Sequence, residues 1–154
     1  MKEVKAKKSL GQNFLKDEEI IEGIFSVAEV QSSDWVLEIG PGTGALTFPL
    51  SSRVEKLLAV EIDGALAKQL ATQFVDSGVV SIVEGNVLDI DMDEWLRTAG
   101  FAEHPYKIIA NIPYYITAPI IRKLLALKTP PQSMTLMVQN EVAERLAALP
   151  GSMS

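Results

Sequence analysis

Residues 111–114, Asn-Ile-Pro-Tyr, combine a side-chain amide, a proline and an aromatic ring. An exocyclic amine on a purine is a poor nucleophile because its lone pair is delocalised into the ring. Two acceptors, the side-chain oxygen of Asn111 and a backbone carbonyl held by Pro113, would draw the nitrogen toward sp³ geometry and localise that lone pair. The ring of Tyr114 can stack on the base. The motif therefore predicts methyl transfer to a base amine, and its alternative is an asparagine turn with a buried tyrosine.

A second candidate site is the run 38–44, which has glycines at positions 40, 42 and 44. Glycine lets the backbone approach a ligand closely and tolerates positive φ. The run also satisfies a loose dinucleotide pattern, Gly40-x-Gly42-x-x-Ala45, which leaves pyrophosphate binding at a helix N-terminus open. A tight strand-to-helix turn without a ligand is the alternative.

Two polar residues follow the next predicted strands. Glu61 lies 21 residues after Gly40, where a carboxylate can accept hydrogen bonds from both hydroxyls of a ribose. Asn86 lies where a side-chain amide could read the amino group of an adenine. The alternatives are a solvated acid at a strand end and a turn-forming asparagine. The spacing of Glu61 narrows the predicted ligand to nucleoside cofactors.

The negative charge of the chain distinguishes between two kinds of nucleoside cofactor. A dinucleotide needs an anion cradle for its phosphates, whereas S-adenosylmethionine has no phosphate and carries a sulfonium cation. Glu38, Glu61 and a net charge of −6 suit a cation. A nicotinamide dehydrogenase would also need an acid or base near the fourth strand, and none is present there. We therefore predict S-adenosylmethionine as the cofactor.

The elements that must position these residues alternate short β-branched runs with amphipathic segments, which predicts an α/β protein with a parallel sheet between helices. Ligands of such sheets bind at the carboxyl ends of the strands. The predicted strands are 35–39, 57–62, 79–83, 106–110 and 134–138. The predicted helices are 18–30, with Asp17 as N-cap, 45–51, 64–74, 92–98, 118–127 and 139–149.

Composition excludes several classes of protein. Zero cysteines exclude disulfide scaffolds, thiolate catalysis and cysteine metal sites, and a single histidine, His104, excludes a histidine-rich metal site. No apolar segment is suited to export or to crossing a bilayer. We expect a soluble, cytoplasmic protein without a metal, and take a monomer as the expectation for its oligomeric state.

A few remaining residues have plain interpretations. Because the chain as a whole is acidic, any contact with a nucleic acid must depend on a local group of basic residues. The N-terminal lysines could bind phosphates or form a solvated tail. His104 is expected at the surface without a catalytic role, and Trp35 and Trp95 are expected to pack in the core. The lysines in question are Lys2, Lys5, Lys7 and Lys8.

Four segments, 9–15, 38–44, 111–116 and 137–146, together resemble motifs of the catalytic domain of the ribosomal RNA adenine N6,N6-dimethyltransferases of the small subunit. The resemblance spans almost the whole chain. It implies a Rossmann-like class I methyltransferase fold and a role in ribosome biogenesis. The implied reaction transfers two methyl groups from S-adenosylmethionine to each of two adjacent adenosines near the 3′ end of 16S rRNA.

The resemblance also implies roles for single residues. Asn86 stands where the family usually has aspartate, and an amide still accepts a hydrogen bond from an adenine amine. The catalytic set would be Asn111, Pro113 and Tyr114. The cofactor set would be Asn13 and Leu15 from the N-terminal arm, Gly40 at the methionine end, Glu61 at the ribose, Asn86 at the adenine, and Asn111 at the methionine and the target amine.

The family continues after a segment matching 150–152 into the last strands and a small helical domain, whereas this sequence stops at Ser154. We expect residues 1–154 to form the S-adenosylmethionine-binding catalytic domain without that helical domain. The fifth strand would then be an exposed edge, and we expect the isolated chain to bind cofactor weakly and to methylate poorly.

Two other functions stay open. The erythromycin-resistance type of 23S rRNA adenine methyltransferase shares residues 111–114, although 11–15 and 141–145 favour the small-subunit family. A non-catalytic RNA-binding assembly factor could keep the same fold. The intact 111–114 motif argues against a loss of catalysis.

Overall fold

A computed structural model describes residues 17–148, and its framework is a parallel sheet. The order of the strands is β3-β2-β1-β4-β5, and each neighbouring pair is parallel. The predicted α/β class is therefore confirmed. The strands are Trp35–Ile39 (β1), Lys56–Glu61 (β2), Val80–Glu84 (β3), Tyr106–Asn111 (β4) and Ser133–Met137 (β5).

Helices connect these strands. Aspartate side chains at 17, 63 and 91 accept hydrogen bonds from the first backbone amides of three helices, which satisfies donors that have no partner within the helix. Two short 3₁₀ helices, Phe101–Glu103 and Tyr114–Ile116, were not predicted. The α-helices are Glu18–Val27 (α1), Thr47–Ser51 (α2), Gly64–Gln73 (α3), Met92–Thr98 (α4), Thr117–Leu125 (α5) and Asn140–Ala147 (α6).

The predicted strands are confirmed to within one residue at each end, and one helix shows why an end can be missed. Helix α2 begins at Thr47 rather than at 45. Gly42 and Gly44 have φ values of 59° and 92°, in the left-handed region that a right-handed helix excludes. The turn that contains these glycines continues through Leu46, so the loop after β1 is two residues longer than the apolar pattern indicates.

Side chains alternate across the sheet and build one core on each face. Leu37 packs in a cluster with Leu96 of α4 and Leu124 of α5. Val36, one residue earlier, packs on the opposite face with Phe25 of α1. Because both faces are covered, the central strands are mostly apolar, and Glu38 of β1 is a buried polar exception.

The amino ends of the strands are closed by side-chain contacts. The Lys107 ammonium donates to the Asp34 carboxylate at 2.8 Å and to the backbone oxygen of Glu29 at 2.7 Å. The ring of Trp35 stacks on His104 at 4.0 Å between centroids and meets Phe101 edge-on. Trp35 packs against the core, as does Trp95, and His104 is exposed, as predicted.

Strand β5 and helix α6 are less covered than the rest. β5 is half-buried at the end of the described strand order, where the sequence predicts an exposed edge. Helix α6 has no buried residue, and Leu146 is 57% exposed. These elements contribute less apolar burial than the centre of the sheet.

Within residues 17–148, no helix is both long and apolar enough to cross a membrane. The same part of the chain contains no cluster of three histidine or acidic side chains that could hold a metal ion. Asn13, Leu15 and the four N-terminal lysines lie outside the described residues. The cofactor contacts expected of Asn13 and Leu15 stay predictions.

Candidate active site

The strand register brings three of the predicted site residues to one level. The last residue of β1 lies opposite the penultimate residues of β2 and β4. The next row across the sheet therefore holds Gly40, Glu61 and Asn111. Because neighbouring strands are about 4.8 Å apart, a ligand the size of a nucleoside lying on this edge reaches all three.

The glycine loop touches the end of β4 directly. Gly40 has a φ of 72°, and its amide donates to the backbone oxygen of Val60 at 3.0 Å. A Cβ atom added at Gly40 would lie 3.3 Å from the backbone oxygen of Asn111. Glycine is therefore required for its backbone conformation and for the close approach of the two loops.

Glu61 holds the same loop in place. Its Oε2 accepts from the amide of Gly42 at 2.9 Å, and its Oε1 accepts from the amide of Asp63 at 2.8 Å. The residue is only 3% exposed. Each carboxylate oxygen has a further lone pair, so Glu61 can brace the loop and still accept from a ribose. Sequence reasoning had missed the bracing role.

Glu38 does not present the negative charge that the sequence interpretation gave it as a partner for a cation. Its side chain lies 1% exposed inside the sheet and accepts from the Thr47 hydroxyl at 2.8 Å. Burial raises the pKa of Glu38 to about 8, against the lowering effect of the Thr47 hydrogen bond, and the nearby charge of Glu61 raises it further. At neutral pH Glu38 is thus mainly protonated and adds little negative charge to the site.

The 111–114 motif lies between the end of β4 and the start of α5. Asn111 is the last residue of β4 and is half-buried. The amide of Ile112 still donates to the Met137 oxygen at 3.3 Å, so the sheet pairing continues one residue past the strand. The carbonyl of Pro113 accepts from the amide of Ile116 at 3.3 Å and from the Thr117 hydroxyl at 3.2 Å.

These bonds fix the backbone of the motif. Since the Pro113 carbonyl is engaged at the start of α5, the carbonyl before Pro113 is the better candidate for the second acceptor. The backbone of Tyr114 begins the 3₁₀ helix Tyr114–Ile116. Its ring is not among the described side chains, and its stacking role stays a prediction.

Asn86 forms the turn that was its alternative interpretation. Its Oδ1 accepts from the amide of Leu88 at 3.0 Å, and its Nδ2 donates to Asp89 Oδ2 at 2.8 Å. Its backbone oxygen accepts from the amides of Asp89 and Ile90. The side-chain oxygen keeps a second lone pair, so the turn and a contact with adenine are compatible.

Sequence reasoning did not identify three residues that hold the site together: Thr47, Asp89 and Lys123. Lys123 Nζ donates to the backbone oxygens of Leu88 at 2.8 Å and Ile90 at 2.6 Å, which ties the loop after β3 to helix α5. The Asn-x-x-Asp spacing of 86–89 was the one available signal, since it is typical of side-chain turns. Nothing in the sequence indicated the other two contacts, because they join distant segments.

Known proteins match this sequence over nearly its whole length. The model of the family described as ribosomal RNA adenine dimethylase matches residues 3–154. Ribosomal RNA small subunit methyltransferase A of Listeria monocytogenes is 46% identical over 150 residues, covering 96% of this chain and 50% of that protein. The protein of that name from Alkaliphilus metalliredigens is 42% identical, with coverages of 94% and 50%. The chain spans about half the length of these curated relatives.

Solved structures agree with the fold. A dimethyladenosine transferase from Plasmodium falciparum superimposes with a TM-score of 0.74 at 31% identity, covering 89% of this chain and 47% of that one. The 23S rRNA methyltransferase ErmE superimposes with a TM-score of 0.70 at 30% identity, with coverages of 86% and 50%. The Rossmann-like fold is therefore confirmed, and so is the resemblance seen in the motifs. This chain belongs to the ribosomal RNA adenine dimethylase family.

Proposed function

We propose that this protein transfers methyl groups from S-adenosylmethionine to the N6 amines of two adjacent adenosines near the 3′ end of 16S rRNA, in ribosome biogenesis. One observation carries the proposal: the 111–114 motif lies against the glycine loop. A Cβ on Gly40 would be 3.3 Å from the Asn111 backbone oxygen. A donor held by the loop and an amine held by Asn111 would therefore be neighbours, as in-line displacement requires.

The residues of this edge fit S-adenosylmethionine. Gly40 leaves the space that a Cβ would fill, and its position next to Asn111 suits the methionine end. Glu61 is held by two backbone amides and has lone pairs for the ribose hydroxyls. Asn86, Asn13 and Leu15 complete the proposed set. When bound, the cofactor supplies an electrophilic methyl carbon on its sulfonium.

The chain's own residues act on the amine. Asn111 Oδ1 and the carbonyl before Pro113 would each accept one N–H of the target adenine, which localises the nitrogen lone pair. Tyr114 would stack on the base and hold it out of its helix. The methylated ammonium is acidic enough to lose its proton to water, so no strong general base is required.

The substrate follows from the relatives. Curated proteins named for the small subunit reach 42–46% identity with this chain. The second candidate is a methyltransferase of 23S rRNA, and the 0.70 TM-score with ErmE favours it. The higher identity to the curated relatives supports the small-subunit substrate. We place residues 1–154 in the catalytic domain and the reaction in the cytoplasm, where ribosomal RNA would meet it.

Labelled cofactor decides between these substrates. The purified protein is incubated with methyl-labelled S-adenosylmethionine and unmodified 30S or 50S subunits, and the labelled nucleotides are mapped. We expect label on two adjacent adenosines near the 3′ end of the 16S rRNA, at a low rate because the isolated chain is expected to bind cofactor weakly. Label on 23S rRNA alone would support the second candidate. Calorimetry with S-adenosylhomocysteine and with NAD tests the cofactor separately, and binding of NAD alone would refute the proposal.

A further inference from the structure

The carboxamide of Asn86 lies between two groups of opposite hydrogen-bonding character. The amide of Leu88 donates to Oδ1 at 3.0 Å, and Asp89 Oδ2 accepts from Nδ2 at 2.8 Å. A backbone N–H can only donate and a carboxylate can only accept. Together they determine which end of the carboxamide is the oxygen. Turning it by 180° would place oxygen against carboxylate and nitrogen against N–H.

This carboxamide lies one strand away from the proposed ribose contact. Gly85, the residue before Asn86, donates its amide to the backbone oxygen of Glu61 at 2.9 Å. Strands β2 and β3 are about 4.8 Å apart. A nucleoside whose ribose meets Glu61 therefore extends its base toward the loop of Asn86.

The surrounding turn does not depend on the Asp89 side chain. The backbone oxygen of Asn86 accepts from the amides of Asp89 at 2.9 Å and Ile90 at 3.1 Å. Lys123 Nζ holds the backbone oxygens of Leu88 and Ile90 from helix α5. Truncating Asp89 therefore removes a contact to the carboxamide while four hydrogen bonds that do not involve the carboxamide keep the turn in place.

We propose that Asp89 is a positioning residue, which keeps the Asn86 oxygen as an acceptor for the base and so makes the nucleoside site select an amino purine over a keto purine. The inference rests on the function proposed above. Adenine presents an N–H donor at position 6, and hypoxanthine presents an oxygen acceptor there. A carboxamide free to rotate would serve both bases, whereas one held by Leu88 and Asp89 together accepts only from adenine.

The test compares S-adenosylhomocysteine with S-inosylhomocysteine, its hypoxanthine analogue, by calorimetry. We expect the wild type to prefer the adenine form about tenfold or more, since the keto form leaves two acceptors facing each other. Asp89→Ala should reduce this ratio several-fold, because turning the carboxamide then gives up only the hydrogen bond from the Leu88 amide and no longer places oxygen against a carboxylate. Asp89→Asn should keep most of the ratio, since its oxygen can still accept from Asn86.

An exchange variant, Asn86→Asp with Asp89→Asn, provides the second test. It keeps a hydrogen-bonded pair and leaves only acceptors at position 86, so the adenine preference should persist. The single variant Asn86→Asp sets two carboxylates side by side and should lower the affinity for both ligands. The thermal unfolding of every variant is measured alongside.

Each outcome has one meaning. An unchanged ratio in Asp89→Ala, including equal weakening of both ligands, overturns the inference, because a merely structural role predicts it. Equal binding of the two ligands by the wild type also overturns it and leaves the proposed function standing. If the wild type binds neither ligand and methylates no ribosomal subunit, the proposed function itself fails.

Discussion

The two edges of the sheet differ in how their polar groups are used. At the amino edge, Lys107 and Asp34 form an ion pair whose side chains are 13% and 12% exposed. The carboxyl edge instead has a glycine backbone at positive φ, at Gly40, and a buried carboxylate that accepts from loop amides, at Glu61. Strand β4 carries both kinds, Lys107 near its start and Asn111 at its end. One strand thus carries an ion pair at one end and a proposed site residue at the other.

The largest effect should come from the carboxyl edge. Asn111→Ala should lower the methylation rate by about 10²–10³-fold, because one of two acceptors on the target amine is lost. The unfolding free energy should change by about 1 kcal/mol or less, as for a half-buried strand end. Initial rates on 30S subunits and urea unfolding measure the two quantities.

Gln73→Ala is the matched control for Asn111→Ala, since it removes an exposed carboxamide at the end of α3. It should leave both quantities unchanged. Normal methylation by the Asn111 variant would show that the role assigned to this residue is wrong.

At the amino edge, a substitution should lower stability and leave the methylation rate unchanged. Lys107→Met leaves the Asp34 carboxylate without its cation and should cost about 3 kcal/mol of unfolding free energy. The methylation rate per folded molecule should stay the same. Arg97→Met breaks the exposed pair with Glu94, whose side chains are 66% and 57% exposed, and should leave stability nearly unchanged. A loss of activity in folded Lys107→Met would contradict the view that the amino edge affects only stability.

The glycine loop offers an effect of intermediate size. Gly44 has a φ of 92°, and an added Cβ would lie 2.7 Å from Phe48 and 2.8 Å from Leu70. Gly44→Ala should therefore cost about 2 kcal/mol. Gly23→Ala has nothing within 4 Å of the new Cβ and should stabilise helix α1 by about 0.5–1 kcal/mol. Calorimetric unfolding compares them, and equal effects would contradict a strained loop.

The smallest predicted effect is a change in the pH dependence of stability at Glu38, which lies in β1 between the two edges. Burial, its largest cause, raises the pKa of Glu38 to about 8 from an ordinary 4.5, so the folded state holds a proton that the unfolded state releases. Its stabilisation is complete below pH 4.5 and is lost as pH rises toward 8. When the pH rises from 6 to 7, the free energy of unfolding of the wild type should fall by about 1.4 kcal/mol relative to that of Glu38→Gln.

The Gln variant keeps an oxygen for the Thr47 hydroxyl and cannot titrate, so it isolates the proton. Urea unfolding of both proteins at the two pH values gives the difference. A difference that stays constant between pH 6 and 7 would mean that Glu38 is already ionised in the folded protein.

Much of the framework was predictable from local rules. The mostly apolar segment Trp35–Ile39 predicts β1 without error, because a strand covered on both faces is rich in apolar residues, with Glu38 as the one exception in β1. Asp17 predicts the start of α1, because its carboxylate caps the first amides. These signals are local, and they do not depend on which strand lies beside which.

The sequence determined the identity of the elements, the glycine loop and the Asn-Ile-Pro-Tyr motif, since each rests on residues that are neighbours in the chain. Only the tertiary structure decided that Glu61 braces the loop, that Glu38 is buried with Thr47 as its hydrogen-bond donor, and that Lys123 holds the turn of Asn86. Hydrogen bonds and burial depend on distance in space, and these partners become close only when the strands are paired.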